Sequence, residues 1–80
     1  MKPLVDPLKR DLEETERRIT DVRAQIARHR KIIIQLAHNG ADTSTAVADM
    51  KSLLDSQRLY ERRHQRILSD LQSLKIRDGG

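Results

Sequence analysis

Two residues with the spacing of metal ligands stand out in the second half of the chain, Glu61-x-x-His64. Three residues apart, they share one face of a helix. In carboxylate-bridged di-iron bundles two helices each supply this motif, and the other two each supply an inward Glu. Two copies of the chain would bring the two motifs. The inward Glu is missing from the pattern, because Ile19 and Val22 are expected opposite His64, Asp21 points outward and Glu61 sits on the flank. His64 therefore reads as a histidine in a polar layer, with no metal expected. His29 takes a similar interior position, and His38 lies where a helix end favours a cation. Protonating His29 and His64 would place charge in a narrow core, which makes a pH switch conceivable.

Nucleophilic chemistry finds no support. Ser44, Ser52, Ser56, Ser69 and Ser73 have no base placed by spacing, and the chain contains no Cys. Gly40 stands alone and Gly79-Gly80 form a tail, so there is no phosphate-cradling glycine loop. Neither an enzyme nor a cofactor is expected. The basic side chains are the stronger lead: Arg58, Arg62 and Arg66 recur at four-residue steps along one helix face. With Arg28 they are candidates for contacting an anionic ligand or partner.

Size and composition limit what any of these residues could serve. Eighty residues, 36% hydrophobic, 35% charged and 1% aromatic, allow one domain with a modest core. The first residues lack the apolar run of about 7–15 that an export signal needs. The longest aliphatic run is Ile32-Ile33-Ile34, against about 20 residues for a membrane span. Without Trp or Phe anchors, membrane-surface binding is not expected either. A cytoplasmic protein is the expectation, and the absence of Cys agrees with it.

The elements that must carry these side chains follow from the apolar periodicity. Leu8, Leu12, Thr15, Ile19, Val22, Ile26, His29, Ile33 and Leu36 are separated alternately by four and three residues. This heptad pattern places one stripe along a helix. Ala46, Met50, Leu53, Gln57, Tyr60, His64, Ile67, Leu71 and Leu74 repeat it. Asp6 and Pro7 suit a helix start, Gly40 a helix stop, and Asp42, Thr43 and Ser44 a second start. The pattern predicts a flexible N-terminus over 1–5, helix 1 over about 6–39, a turn over about 40–43, helix 2 over about 44–77 and a tail at 79–80. So short a connection makes the fold all-α, an antiparallel two-helix coiled-coil hairpin. Ile19, Val22, Ile26, Ile33, Leu53, Tyr60, Ile67 and Leu71 should form its seam. The turn admits two registers. One sets Ile33 against Leu53, Ile26 against Tyr60, Ile19 against Ile67 and His29 against Gln57. The other sets His29 against Met50 and Thr15 against His64. The first is favoured because it gathers His29 and Gln57 into one polar layer.

A second apolar row, Val47, Leu54 and Leu68, runs beside the stripe of helix 2, and Ile32, Ile34 and Ala37 widen that of helix 1. A lone hairpin of this size has little to bury, so these residues are expected to join two hairpins in a four-helix bundle. Val47, Leu54, Leu68, Ile32 and Ile34 are the candidate dimer interface. Charge is divided along the chain. Asp6, Asp11, Glu13, Glu14, Glu16 and Asp21 outnumber the bases of residues 6–21, whereas Arg23, Arg28, Arg30 and Lys31 face no acid within 22–38. In the favoured register Arg58, Arg62, Arg63 and Arg66 fold alongside that basic stretch and make a belt. The belt could order dipoles and solubility, specify an oligomer, or bind nucleic-acid phosphates nonspecifically. The last is disfavoured, since Tyr60 is the only aromatic residue and occupies a seam position.

Ile26-Ala27-Arg28-His29-Arg30, Ile33, Leu36, Gly40-Ala41-Asp42-Thr43, Ala46, Leu53-Leu54, Gln57, Arg63 and Leu71 together give the chain a family likeness over about residues 12–74. It resembles a group of small, uncharacterised bacterial helical-hairpin proteins with a Gly-x-Asp-Thr turn between heptad helices. The resemblance implies the hairpin fold and a bacterial, cytoplasmic setting, and it carries over no activity and no site residue. The reading that results is a noncatalytic, oligomerising interaction module, a small adaptor or regulator. The alternative is a weak nucleic-acid binder.

Overall fold

The structure, a computed structural model, describes residues 5–79, with side chains as far as Lys75. Two helices, α1 (Val5–His38) and α2 (Ser44–Gly79), pack against each other as a hairpin. α1 begins one residue earlier than the cap at Asp6 implied. Asp6 and Pro7 therefore occupy its first turn, where a carboxylate meets the positive end of the helix and a missing N–H leaves no carbonyl unpaired. α2 continues through Gly79, beyond the expected stop near 77. A glycine in a last turn costs about 1 kcal/mol relative to Ala, which weakens a helix without forbidding it. Of the two predicted terminal segments, residues 1–4 and 80 lie outside the described residues.

The turn is built by backbone hydrogen bonds that the sequence anticipates. Gly40 adopts φ 71°, Ala41 N–H donates to Leu36 O at 2.9 Å, and Gly40 N–H donates to Ala37 O at 3.1 Å. That is the Schellman closure of a helix, which needs a left-handed residue at Gly40. Thr43 O accepts the first helical bond of α2 from Val47 N–H at 2.9 Å. Asp42 Oδ1 accepts from Ser44 N–H at 2.9 Å and from the Ser44 hydroxyl, so the carboxylate is the group that meets the first amide of α2. These bonds, that of the hydroxyl foremost, hold the Asp42 carboxyl below its ordinary range.

Register departs from the favoured expectation by one heptad. Arg63 pairs with Asp11 at 2.6 Å, His64 with Glu16 at 3.1 Å, and His29 Nε2 lies 4.0 Å from Asp49. These cross-helix pairs select the arrangement with Thr15 beside His64 and His29 near Met50, and His29 does not meet Gln57. Two physical reasons favour it. Each seam histidine gains a carboxylate across the interface, and the small Thr15, only 2% exposed, leaves room for an imidazole opposite. The correction also dissolves the basic belt. Arg63 pairs with Asp11 and Arg62 shares a groove with Glu16, both in the acidic half of α1, while Arg28 and His29 lie beside Asp49. Charge complementarity runs within the hairpin, acidic half against basic half.

The seam is narrow. Ile19, Val22, Ile26 and Ile67 are its buried apolar residues, while Ile33, Leu53, Tyr60 and Leu71 are only half-buried. The molecule is a rod of 62 × 14 × 14 Å with a radius of gyration of 18.2 Å. A compact chain of this length would have roughly 12 Å. Elongation follows from two helices of 34 and 36 residues sharing one contact line.

Candidate functional site

Two flanks border the seam, and the heptad assigns residues to each. On the first, Glu16, Ile19, Thr20 and Arg23 of α1 face Glu61, Arg62, His64 and Gln65 of α2 across an open groove. His64 Nε2 lies 3.1 Å from Glu16 Oε2, close enough to donate when that nitrogen carries the proton. The expectation that Ile19, Val22 and their neighbours fill the positions opposite His64 missed Glu16, which reaches it from the flank. Glu61 lines the same groove. Among the described residues, however, no three His, Asp or Glu side chains converge as a metal ion would require.

The second flank carries the stronger ion pair. Arg63 donates to Asp11 Oδ1, and Arg18 donates to Glu14 Oε1 at 3.1 Å, with Tyr60 beside them. Hydrogen bonds to Glu14 and to the Tyr60 hydroxyl raise the Arg18 guanidinium above its ordinary value, as anionic and acceptor neighbours favour the charged form. Further toward the turn, Gln25, Arg28, His29 and Ile32 face Asp49, Ser52, Leu53 and Ser56. His29 Nε2 is buried without a hydrogen-bond partner, because Asp49 stops at 4.0 Å. Across the seam each histidine thus has a carboxylate as neighbour, Glu16 for His64 and Asp49 for His29.

The structure separates the candidate interface residues. Val47, Leu54 and Leu68 fall in the seven-residue row of Glu61, and Ile34 falls in that of Thr20, so these four belong to the first flank. Ile32 belongs to the second, beside Asp49 and Ser56. Ile34 is 66% and Val47 50% exposed, Leu68 is also exposed, and Leu54 is half-buried. The candidate anion contacts are likewise divided, with Arg62 and, in the row of Gln65, Arg58 on the first flank, and Arg28 and, in the row of Ser52, Arg66 on the second; all four are exposed. Sequence reasoning overlooked Glu16 as a partner of His64, Asp11 as a partner of Arg63, and exposed Leu59. The first two were legible once charges were compared along the seven-residue rows in both registers.

Compared with protein-family models, curated proteins and solved structures, the chain matches none. No described helix is long and apolar enough to cross a membrane.

Proposed function

We propose that the chain is a noncatalytic interaction module whose working form is a dimer of hairpins, a four-helix bundle, acting as a small adaptor or regulator. The observation that carries this reading is the mismatch between a seam with four buried apolar side chains among the described residues and the exposed apolar side chains Val47, Leu68, Ile32 and Ile34 beside it. Surface area supports it. The hairpin exposes 6538 Å², whereas a compact monomer of 9.3 kDa would expose about 5,000 Å². The difference, about 1,500 Å² per chain, falls within what each subunit of an obligate homodimer covers. The alternative, nucleic-acid binding through a basic belt, loses support from the register, because Arg63 pairs with Asp11 and Arg62 shares a groove with Glu16, away from the basic stretch of α1.

Sedimentation equilibrium tests the reading. The wild-type chain should sediment at twice 9.3 kDa at low micromolar concentration. Leu54→Glu should shift it toward monomer and retain most helical signal at high concentration. A compact, stable wild-type monomer would overturn the proposal. Salt-sensitive retention on heparin, lost when Arg58, Arg62 and Arg66 become Gln, would favour the alternative.

A further inference from the structure

We infer that the hairpin is a two-register device: α2 can slip past α1 by one heptad, and ionic strength sets the balance between the two alignments. The slip occurs within one chain and does not depend on the dimer reading. The turn permits it. Asn39, Gly40 and Ala41 donate their N–H groups to Gln35, Ala37 and Leu36 of α1, whereas Asp42 and Thr43 accept from Ser44 and Val47 of α2. Among the described residues no hydrogen bond of the turn crosses from Ala41 to Asp42, so each helix keeps its own cap when that junction rotates. Reach is sufficient too. With Thr15 beside His64, Ser44 stands level with Gln35, about 4.5 Å short of the end of α1, and a slip would carry it about 6 Å beyond that end. Across axes about 10 Å apart, His38 to Ser44 spans about 11 Å before the slip and about 12 Å after it, and six residues extend to about 20 Å.

The apolar stripes do not discriminate, because both repeat every seven residues and a heptad slip returns stripe to stripe. The observed register leaves His29 Nε2 buried without a hydrogen-bond partner, and Ile33 and Leu53 only half-buried. The slipped register would set the Gln57 amide against His29 and Ile33 against Leu53. An amide can donate or accept, so it suits either tautomer of the imidazole. Charge pulls the other way. Arg63 now meets Asp11 at 2.6 Å, and His64 meets Glu16 at 3.1 Å. After the slip Asp70 would stand where Arg63 does, carboxylate against carboxylate, and His64 would leave Glu16. Arg63 is 59% and Asp11 32% exposed, and Asp70 is exposed as well, so dissolved ions screen both the attraction and the repulsion. Salt thus weakens the interactions that hold the observed register and spares the apolar and amide contacts. The slipped alignment is the minor state at low salt and gains population as salt rises.

The chain has no Cys, so spin labels can be placed site-specifically. Ala24→Cys and Ser69→Cys, both at exposed positions, carry the two labels in one chain, diluted into a large excess of unlabelled chain so that only distances within a hairpin are read. Ala24 is level with Asp55 in the observed register and with Arg62 after the slip, so the axial offset to Ser69 falls from about 21 Å to about 10.5 Å. Double electron–electron resonance should resolve a major distance and a minor one shorter by about 5–6 Å. Raising NaCl from about 0.05 M to about 1 M should increase the ratio of short to long about tenfold. Asp11→Arg replaces the attraction to Arg63 by repulsion and the repulsion from Asp70 by attraction, and it should make the shorter distance dominant. Gln57→Leu removes the partner of His29 and should suppress the shorter distance. A wild-type chain with the longer distance alone at 1 M salt overturns the inference. So does a folded Asp11→Arg chain that keeps the longer distance, or a ratio that Gln57→Leu leaves unchanged.

Discussion

Truncating Ile26 tests whether the narrow seam holds the hairpin. Ile26 is 6% exposed and is one of the four buried apolar side chains among the described residues. Ile26→Ala deletes three buried carbons at about 0.8 kcal/mol each, roughly 2.4 kcal/mol in transfer alone. The residual cavity raises the loss to about 3–4 kcal/mol. A domain of 80 residues has a total stability of roughly 4–12 kcal/mol. One truncation should therefore remove a large share and lower Tm by about 12–30 °C. Leu59→Ala deletes the same number of carbons from a side chain that is 60% exposed and should lose at most about 1 kcal/mol. The assay is urea unfolding followed by far-UV circular dichroism at one fixed chain concentration, because the proposed dimerisation would make the midpoint concentration-dependent. The wild-type m-value should be retained by both variants. Losses that agree within about 0.5 kcal/mol would refute the assignment of the packing face. Ile26→Asp should go further and abolish the helical signal, because it buries a charge with no partner.

Further outcomes follow from the register and the turn. A double-mutant cycle on Asp11 and Arg63 should show a coupling of about 0.5–1 kcal/mol that shrinks with added salt, as both groups are partly solvated; zero coupling at low salt would contradict the observed register. Gly40→Ala should destabilise by about 1–2 kcal/mol in thermal melts. Nothing lies within 4 Å of an added Cβ, so the loss would come from the left-handed backbone alone, and Gly40→Asn should lose less. The Asp42 carboxyl titrates below its unfolded value, so its contribution is present above the ordinary carboxylate range and is lost as pH falls through the folded value. Asp42→Asn should flatten that part of the acid limb of a stability profile; an unchanged limb would show that the Ser44 contacts are not formed in solution.

The chemistry suggested by individual residues was only partly legible in advance. Glu61-x-x-His64 was visible as spacing, yet the carboxylate that meets His64 comes from Glu16, outside the core stripe. Flank residues face a partner only after two helices are aligned, so one helix's periodicity cannot identify the pair. Arg58, Arg62 and Arg66 are each exposed. Their neighbours were misassigned because a seven-residue slip exchanges a basic stretch for an acidic one.

Sequence alone determined the two helices, their stripes and the turn. Each depends on contacts within a few residues: the alternating four-and-three spacing, the left-handed Gly40, and the carboxylate of Asp42 on the first amide of α2. The tertiary structure decided the register. A heptad pattern looks the same after a shift of seven residues, so apolar periodicity assigns nearly equal merit to both alignments. Pairwise details break that degeneracy, with Thr15 making space for His64 and with Asp11, Glu16 and Asp49 meeting bases across the seam. Those contacts join residues far apart in the chain, and only the folded hairpin brings them together.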